Sequence, residues 1–132
     1  MSKRIVVVDD QTDLLTLLRM LLEDQRYQVS VLKDGRGSVE YIRANQPDLV
    51  ILDLKLTDVP GLDILQSLKG QTATADIPVI VYSAAVVEAE AVSQMAEQDP
   101  ARYGTVAVLL KPFELDELLE RVGTMLGAAD PG

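Results

Sequence analysis

Three short apolar runs end in the same way, and that constrains the fold of this chain more than any other feature. IVVV closes on Asp9 and Asp10, LVIL on Asp53, and VAVLL on Lys111 and Pro112. Unbroken runs of Val, Ile and Leu mark strands buried on both faces, the kind found in parallel sheets covered by helices. Delivered to corresponding places in one sheet, two acidic strand ends and one basic one imply one polar site at one edge of that sheet.

Between these runs the spacing switches to a helical period. Leu14, Leu17, Leu18, Leu21 and Leu22 recur at helical intervals between Asp13 and Asp24, and Val29, Val31 and Leu32 form a second strand. Val39 and Ile42 mark a helix that must stop before Pro47. Asp53 ends the third strand, and Pro60-Gly61 turns the chain into a helix carrying Leu62, Leu65 and Leu68. Pro78 opens a fourth strand over Val79–Tyr82, which delivers Ser83. Residues 87–98 are good helix formers with a thin apolar face, stopped by Asp99-Pro100. Val106–Leu110 makes a fifth strand, and Leu115, Leu118, Leu119, Val122 and Leu126 mark a last helix. Five strand–helix units predict an α/β fold, a five-stranded parallel sheet with helices on both faces. Ligands in such folds gather outside the carboxyl ends of the strands. The expected domain covers residues 1–126, with 127–132 as a short flexible tail or the start of a linker.

Composition excludes several functions. At 132 residues and 48% apolar content the chain suits one folded domain rather than two or a disordered segment. Its 21 acidic and 12 basic residues give a net charge of -9, which repels a phosphate backbone, so no direct nucleic-acid partner is expected. Cysteine and histidine are absent. Disulfides, thiolate chemistry, ordinary zinc sites and histidine acid–base catalysis are thereby ruled out. No signal peptide fits the N-terminus and no apolar stretch approaches membrane-spanning length; the expectation is a cytoplasmic protein with no membrane partner.

The acidic residues suggest a chemistry. Asp9, Asp10 and Asp53 repel one another unless a cation joins them, and magnesium, with manganese as the alternative ion, takes hard oxygen ligands while keeping several waters. A backbone carbonyl just after Asp53, that of Lys55, is a sensible further ligand. Lys111 can neutralise a transferred phosphoryl group and Ser83 can hydrogen-bond one of its oxygens. Asp53 would then attack phosphorus in line, giving an acyl phosphate that water later removes. Each residue alone suits a plainer role: Asp10 and Ser83 as helix caps, Lys111 as a solvated strand-end charge. Their shared placement favours the common site.

VVVDD, LVILDL, VYSA and LLKPF, in that order, resemble the response-regulator receiver domain of two-component signalling, of the chemotaxis-regulator type, over about residues 3–126. The resemblance implies a flavodoxin-like, doubly wound sheet of order 2-1-3-4-5. It implies an acidic pair at Asp9 and Asp10, a phosphoacceptor at Asp53, a switch hydroxyl at Ser83, a phosphate-contacting Lys111 and a cis Lys111–Pro112 bond. It further implies a phosphohistidine donor on a sensor histidine kinase or a histidine phosphotransfer domain. The domain would dephosphorylate itself without being a conventional turnover enzyme.

The chain departs from that family in three places. Thr57 stands where a proline usually follows the phosphoacceptor by four residues, although Gly61 is kept, so the loop path is expected to differ. Val108 replaces the usual aromatic switch residue. The interval from Ser83 to Lys111 is longer, with the extra material around QMAEQDPARYG. That segment, 95–104, suits either a private partner surface or a tolerated insertion, with Tyr103 expected as a half-exposed loop residue. The 87–126 face is the expected surface for a downstream protein or a homodimer. Lys55 and Ala85 occupy positions that tune dephosphorylation in the family. The alternative function is a phosphorylation-independent or phosphate-sink interaction module with a degenerate switch. Flavodoxin-like and haloacid-dehalogenase-like enzymes are disfavoured by the acidic DDQTD after the first strand and by Gln11 two residues after Asp9.

Overall fold

The computed structural model describes residues 2–111 and 114–129. In chain order its elements are β1 (Arg4–Val8), α1 (Thr12–Asp24), β2 (Gln28–Leu32), α2 (Ser38–Asn45), β3 (Leu49–Asp53), α3 (Gly61–Lys69), β4 (Val79–Ser83), α4 (Val86–Gln98), α5 (Pro100–Tyr103), β5 (Val106–Leu110) and α6 (Leu115–Ala129). The five strands form one sheet in the order β2-β1-β3-β4-β5. Every neighbouring pair is parallel, so this is the expected doubly wound α/β architecture. Among the described residues no helix is long and apolar enough to cross a membrane.

The strands read as solid apolar runs because the pleat sends alternate residues into two separate cores. Ile5, Val7, Ile51, Ile80, Tyr82 and Leu109 pack with Leu15 and Leu18 of α1 and Leu118 and Val122 of α6. Val6, Val8, Val50, Leu52, Val79 and Val81 pack on the other side, with Ile42 of α2, Leu65 and Leu68 of α3, and Val92 of α4. Each such side chain contributes about 1.5–3 kcal/mol on full burial. The thin apolar face of α4 is real: it buries Ala89 and Val92, while Val86 and Val87 stay 53% and 77% exposed.

The extra segment before β5 is built rather than loose. Pro100 starts α5, where its missing N–H costs nothing, and the Asp99 side chain accepts the Arg102 N–H. Tyr103 is buried against the α2–α4 core. This corrects the expectation of a half-exposed loop residue: one helical turn is enough to aim the ring inward. Just beyond it, Thr105 Oγ1 accepts a hydrogen bond from the buried Lys69 Nζ at 2.8 Å, and the Ile77 carbonyl accepts another at 2.6 Å. At the other end of the chain α6 runs as far as Ala129, with Leu118, Val122 and Leu126 buried in the core.

One glycine supports the sheet edge directly. The Gly61 N–H donates to the Leu54 carbonyl at 2.9 Å, and a Cβ there would lie 2.4 Å from Leu54 Cα and 2.5 Å from the Asp53 carbonyl oxygen. No side chain fits between α3 and the end of β3. Gly61→Ala is therefore expected to destabilise the fold by about 1–3 kcal/mol, measured by urea unfolding. An unchanged midpoint would mean that α3 shifts without cost.

Candidate functional site

Strand register sets the site. Val8 pairs with Leu52, Asp53 with Tyr82, and Tyr82 with Leu109. Asp9, Asp53, Tyr82 and Leu109 thus stand at one level of the sheet. The two-residue pleat gives Asp9, Asp53 and Tyr82 the same face, and Lys111, two residues past Leu109, follows it. The side chains meet accordingly. Carboxylate oxygens of Asp9, Asp10 and Asp53 lie within 4.8 Å of one another. Lys111 Nζ is 3.3 Å from Asp53 Oδ2 and 3.7 Å from Asp9 Oδ2. Asp9 and Asp53 are buried and Asp10 is half-buried.

The same local device ends three strands. Asp9 Oδ1 accepts the Gln11 N–H at 2.8 Å, Asp53 Oδ1 the Lys55 N–H at 3.0 Å, and Ser83 Oγ the Ala85 N–H at 2.9 Å. These side-chain turns lead the chain off the sheet and fix one oxygen of each residue. Helix capping explains neither Asp10 nor Ser83, since the residues preceding α1 and α4 are Gln11 and Ala85. Ser83 is fully buried on the opposite pleat from Tyr82. It is tied to Lys111 through the backbone, its carbonyl accepting the Lys111 N–H at 2.9 Å.

Asp10 has its own anchor, as Oδ2 accepts the Thr57 N–H at 3.1 Å. A proline at position 57 could not make this bond, so the substitution for the family residue acquires a physical meaning. Asp58 pins the far side of the same loop, accepting the Gly35 and Arg36 N–H groups at 3.0 and 2.9 Å. Val108 packs half-buried against the α2–α4 core, and it has no long side chain to swing outward. The Lys55 side chain is exposed. Pro112, and with it the expected cis bond, lies outside the described residues.

Sequence reasoning missed Tyr82. Its hydroxyl donates to Asp9 Oδ2, and Lys111 Nζ sits 4.7 Å from the centroid of its ring. Burial, reinforced by the Asp9 charge, holds the phenol far above its ordinary pKa of 10.0, which keeps it a donor. A signal was present in the strand alternation, which puts the residue before Ser83 on the face of Asp53.

Three carboxylates against one ammonium leave these four groups with a formal excess of two negative charges. Hard oxygen donors and that excess fit a hard divalent cation. Burial pushes the Asp53 carboxyl above its ordinary 3.8; the Lys55 N–H and Lys111 oppose the shift, while Asp9 adds to it.

A profile of the response regulator receiver domain matches residues 5–123. Response regulator ArlR of Staphylococcus saprophyticus is 31% identical over 123 residues, which is 93% of this chain and 52% of that protein. Transcriptional regulatory protein KdpE of Mycobacterium tuberculosis is 35% identical over 118 residues, 89% of this chain and 48% of that protein. Among solved structures, the BeF3-activated N-terminal receiver domain of RstA from Klebsiella pneumoniae superposes with a TM-score of 0.78 at 25% identity, covering 94% of this chain and 98% of that one. The chain belongs to the response regulator receiver domain family, and its clustered Asp9, Asp10 and Asp53 form the acidic site typical of phosphoryl-accepting receivers. It spans about half the length of the curated relatives it matches.

Between pH 3.8 and its raised folded pKa, Asp53 holds a proton in the folded chain that the unfolded chain has released. Its contribution therefore falls as pH rises through that window and is least favourable above it. Without divalent metal, Asp53→Asn should stabilise the protein at neutral pH, the gain fading towards pH 3. Magnesium should stabilise the wild type, by roughly 1.4 kcal/mol at ten times its Kd, and Asp10→Asn much less. Thermal unfolding measures all three; loss of stability in metal-free Asp53→Asn at neutral pH would contradict the assignment of strain to this carboxylate.

Proposed function

We propose that this domain accepts a phosphoryl group on Asp53 from a phosphohistidine and carries the resulting acyl phosphate as its signal. One observation supports this above all others: the only ammonium within 4 Å of Asp53 among the described residues belongs to Lys111, which also faces Asp9. The Lys55 N–H and Lys111 hold the two oxygens of Asp53, so the nucleophile is oriented before a donor arrives. An Asp53 oxygen forms the new bond to phosphorus as the phosphorus–nitrogen bond to the donor histidine breaks in line. Lys111 then moves its hydrogen bond to a phosphoryl oxygen, and Ser83 supplies a hydroxyl to another. Asp9, Asp10, Asp53 and the Lys55 carbonyl would hold magnesium, or manganese in its place, which when bound neutralises charge on the phosphoryl oxygens. Hydrolysis of the acyl phosphate resets the domain, so it is a reversibly modified switch rather than a turnover enzyme.

The donor is a sensor histidine kinase or a histidine phosphotransfer domain in a cytoplasmic two-component pathway. The receiver unit covers residues 1–126, with 127–132 as tail or linker. Output runs to a downstream protein or a second copy through the 87–126 face, without direct nucleic-acid contact. Val108 supports a second reading. With no aromatic side chain to reorient there, phosphorylation would serve relay or storage of phosphoryl groups without a change of association.

Intact mass after incubation with magnesium and acetyl phosphate tests the chemistry. One added phosphoryl group is expected, absent with chelator and in Asp53→Asn. Lys111→Ala should slow its appearance by at least about tenfold, the order for one lost electrostatic partner of a transferring group. Undiminished labelling of Asp53→Asn would remove it as the acceptor. Size-exclusion of the labelled form separates the two readings: a shift favours a conformational switch, an unchanged volume the relay or sink.

A further inference from the structure

Tyr82 is a fully buried aromatic side chain, and it touches one charge of each sign in the site. Its hydroxyl donates to Asp9 Oδ2; Lys111 Nζ lies over its ring, 4.7 Å from the centroid, and 3.7 Å from that same Asp9 oxygen. Core tyrosines commonly find some partner for the hydroxyl, and most such bonds have no bearing on function. Here the partner is a carboxylate of the acidic cluster, and the ring bears the ammonium that neutralises it.

We propose that Tyr82 is a positioning residue of the phosphoacceptor site, its hydroxyl holding Asp9 ready for a divalent cation and its ring seating Lys111. The inference rests on the function proposed above. Asp9 is wholly buried and its other oxygen is fixed by the Gln11 N–H at 2.8 Å. The Tyr82 hydroxyl therefore defines the second direction of the carboxylate and leaves no free rotation about its last bond. Tyrosine suits the task because only two torsions place the ring, which lies fully buried in the same core as Ile80, Leu109 and Leu118. Cations over an aromatic face are held by the ring quadrupole, most firmly where water is scarce. Lys111 is thus kept beside Asp53 even though it has a long, flexible stem.

The experiment is magnesium binding by calorimetry on the full chain, for wild type, Tyr82→Phe and Tyr103→Phe, together with the magnesium dependence of labelling by acetyl phosphate. Tyr103 is a buried tyrosine on the other core and controls for loss of any core hydroxyl. Tyr82→Phe should raise the magnesium Kd about tenfold, the low end for loss of a group that orients a metal ligand. Half-maximal labelling should move to higher magnesium by the same factor, with Tyr103→Phe behaving as wild type. Tyr82→Leu, which also removes the ring, should in addition slow labelling with magnesium in excess. A Kd for Tyr82→Phe within twofold of wild type, or a tighter one, overturns the inference while leaving Asp53 labelling and the proposed function intact. A wild type that neither binds magnesium nor takes up phosphoryl groups overturns both.

Discussion

Asp9 and Asp53 are buried carboxylates side by side, and the folded sheet edge depends on the Lys111 ammonium that lies 3.7 and 3.3 Å from them. Two like charges withdrawn from water repel strongly, and removing the ammonium would leave both uncompensated. Backbone amides share the burden, with Gln11 and Lys55 each donating to one oxygen. The balance is nevertheless incomplete, since Asp10 brings a third negative charge. That deficit makes the edge receptive to a dication and to a phosphoryl group carried with it. The surrounding structure is arranged to keep the deficit in place: the loop after β3 is fastened to Asp10 at Thr57 and to the β2–α2 turn at Asp58.

The architecture and most of this site were legible in the sequence because parallel register does the assembling. Once IVVV, LVIL and VAVLL are strands of one parallel sheet, the residues that follow them must stand together at its carboxyl edge. Asp9, Asp10, Asp53 and Lys111 needed nothing more. Ser83 was placed in its strand by the same logic, but its turn bond to Ala85 depends on backbone direction beyond β4, which spacing does not reveal.

Two features were not legible, for different reasons. Tyr82 was absorbed into an apolar run, and only the pleat, counted strand against strand, shows its hydroxyl aimed at Asp9. Tyr103 sits after a helix-breaking Asp99-Pro100 pair, which signals an end of α4 but not that the chain resumes helix at once. Proline at the first position of a helix and at the break of one look alike in sequence. The longer connection to β5 is consequently a packed element, anchored by the Tyr103 ring and bordered by the Lys69–Thr105 bond. Among the described residues, Val86 and Val87 at the start of α4 and Leu110 at the end of β5 are exposed apolar side chains.

In the function proposed above a single side chain, Asp53, carries the acyl phosphate. Borohydride reduces an acyl phosphate to the alcohol, turning a phosphorylated aspartate into homoserine, and peptide sequencing by mass spectrometry then locates it. Homoserine is expected at position 53, dependent on magnesium and on prior exposure to a phosphodonor. Homoserine at Asp9, Asp10 or elsewhere, or none in protein whose intact mass shows an added phosphoryl group, would contradict it.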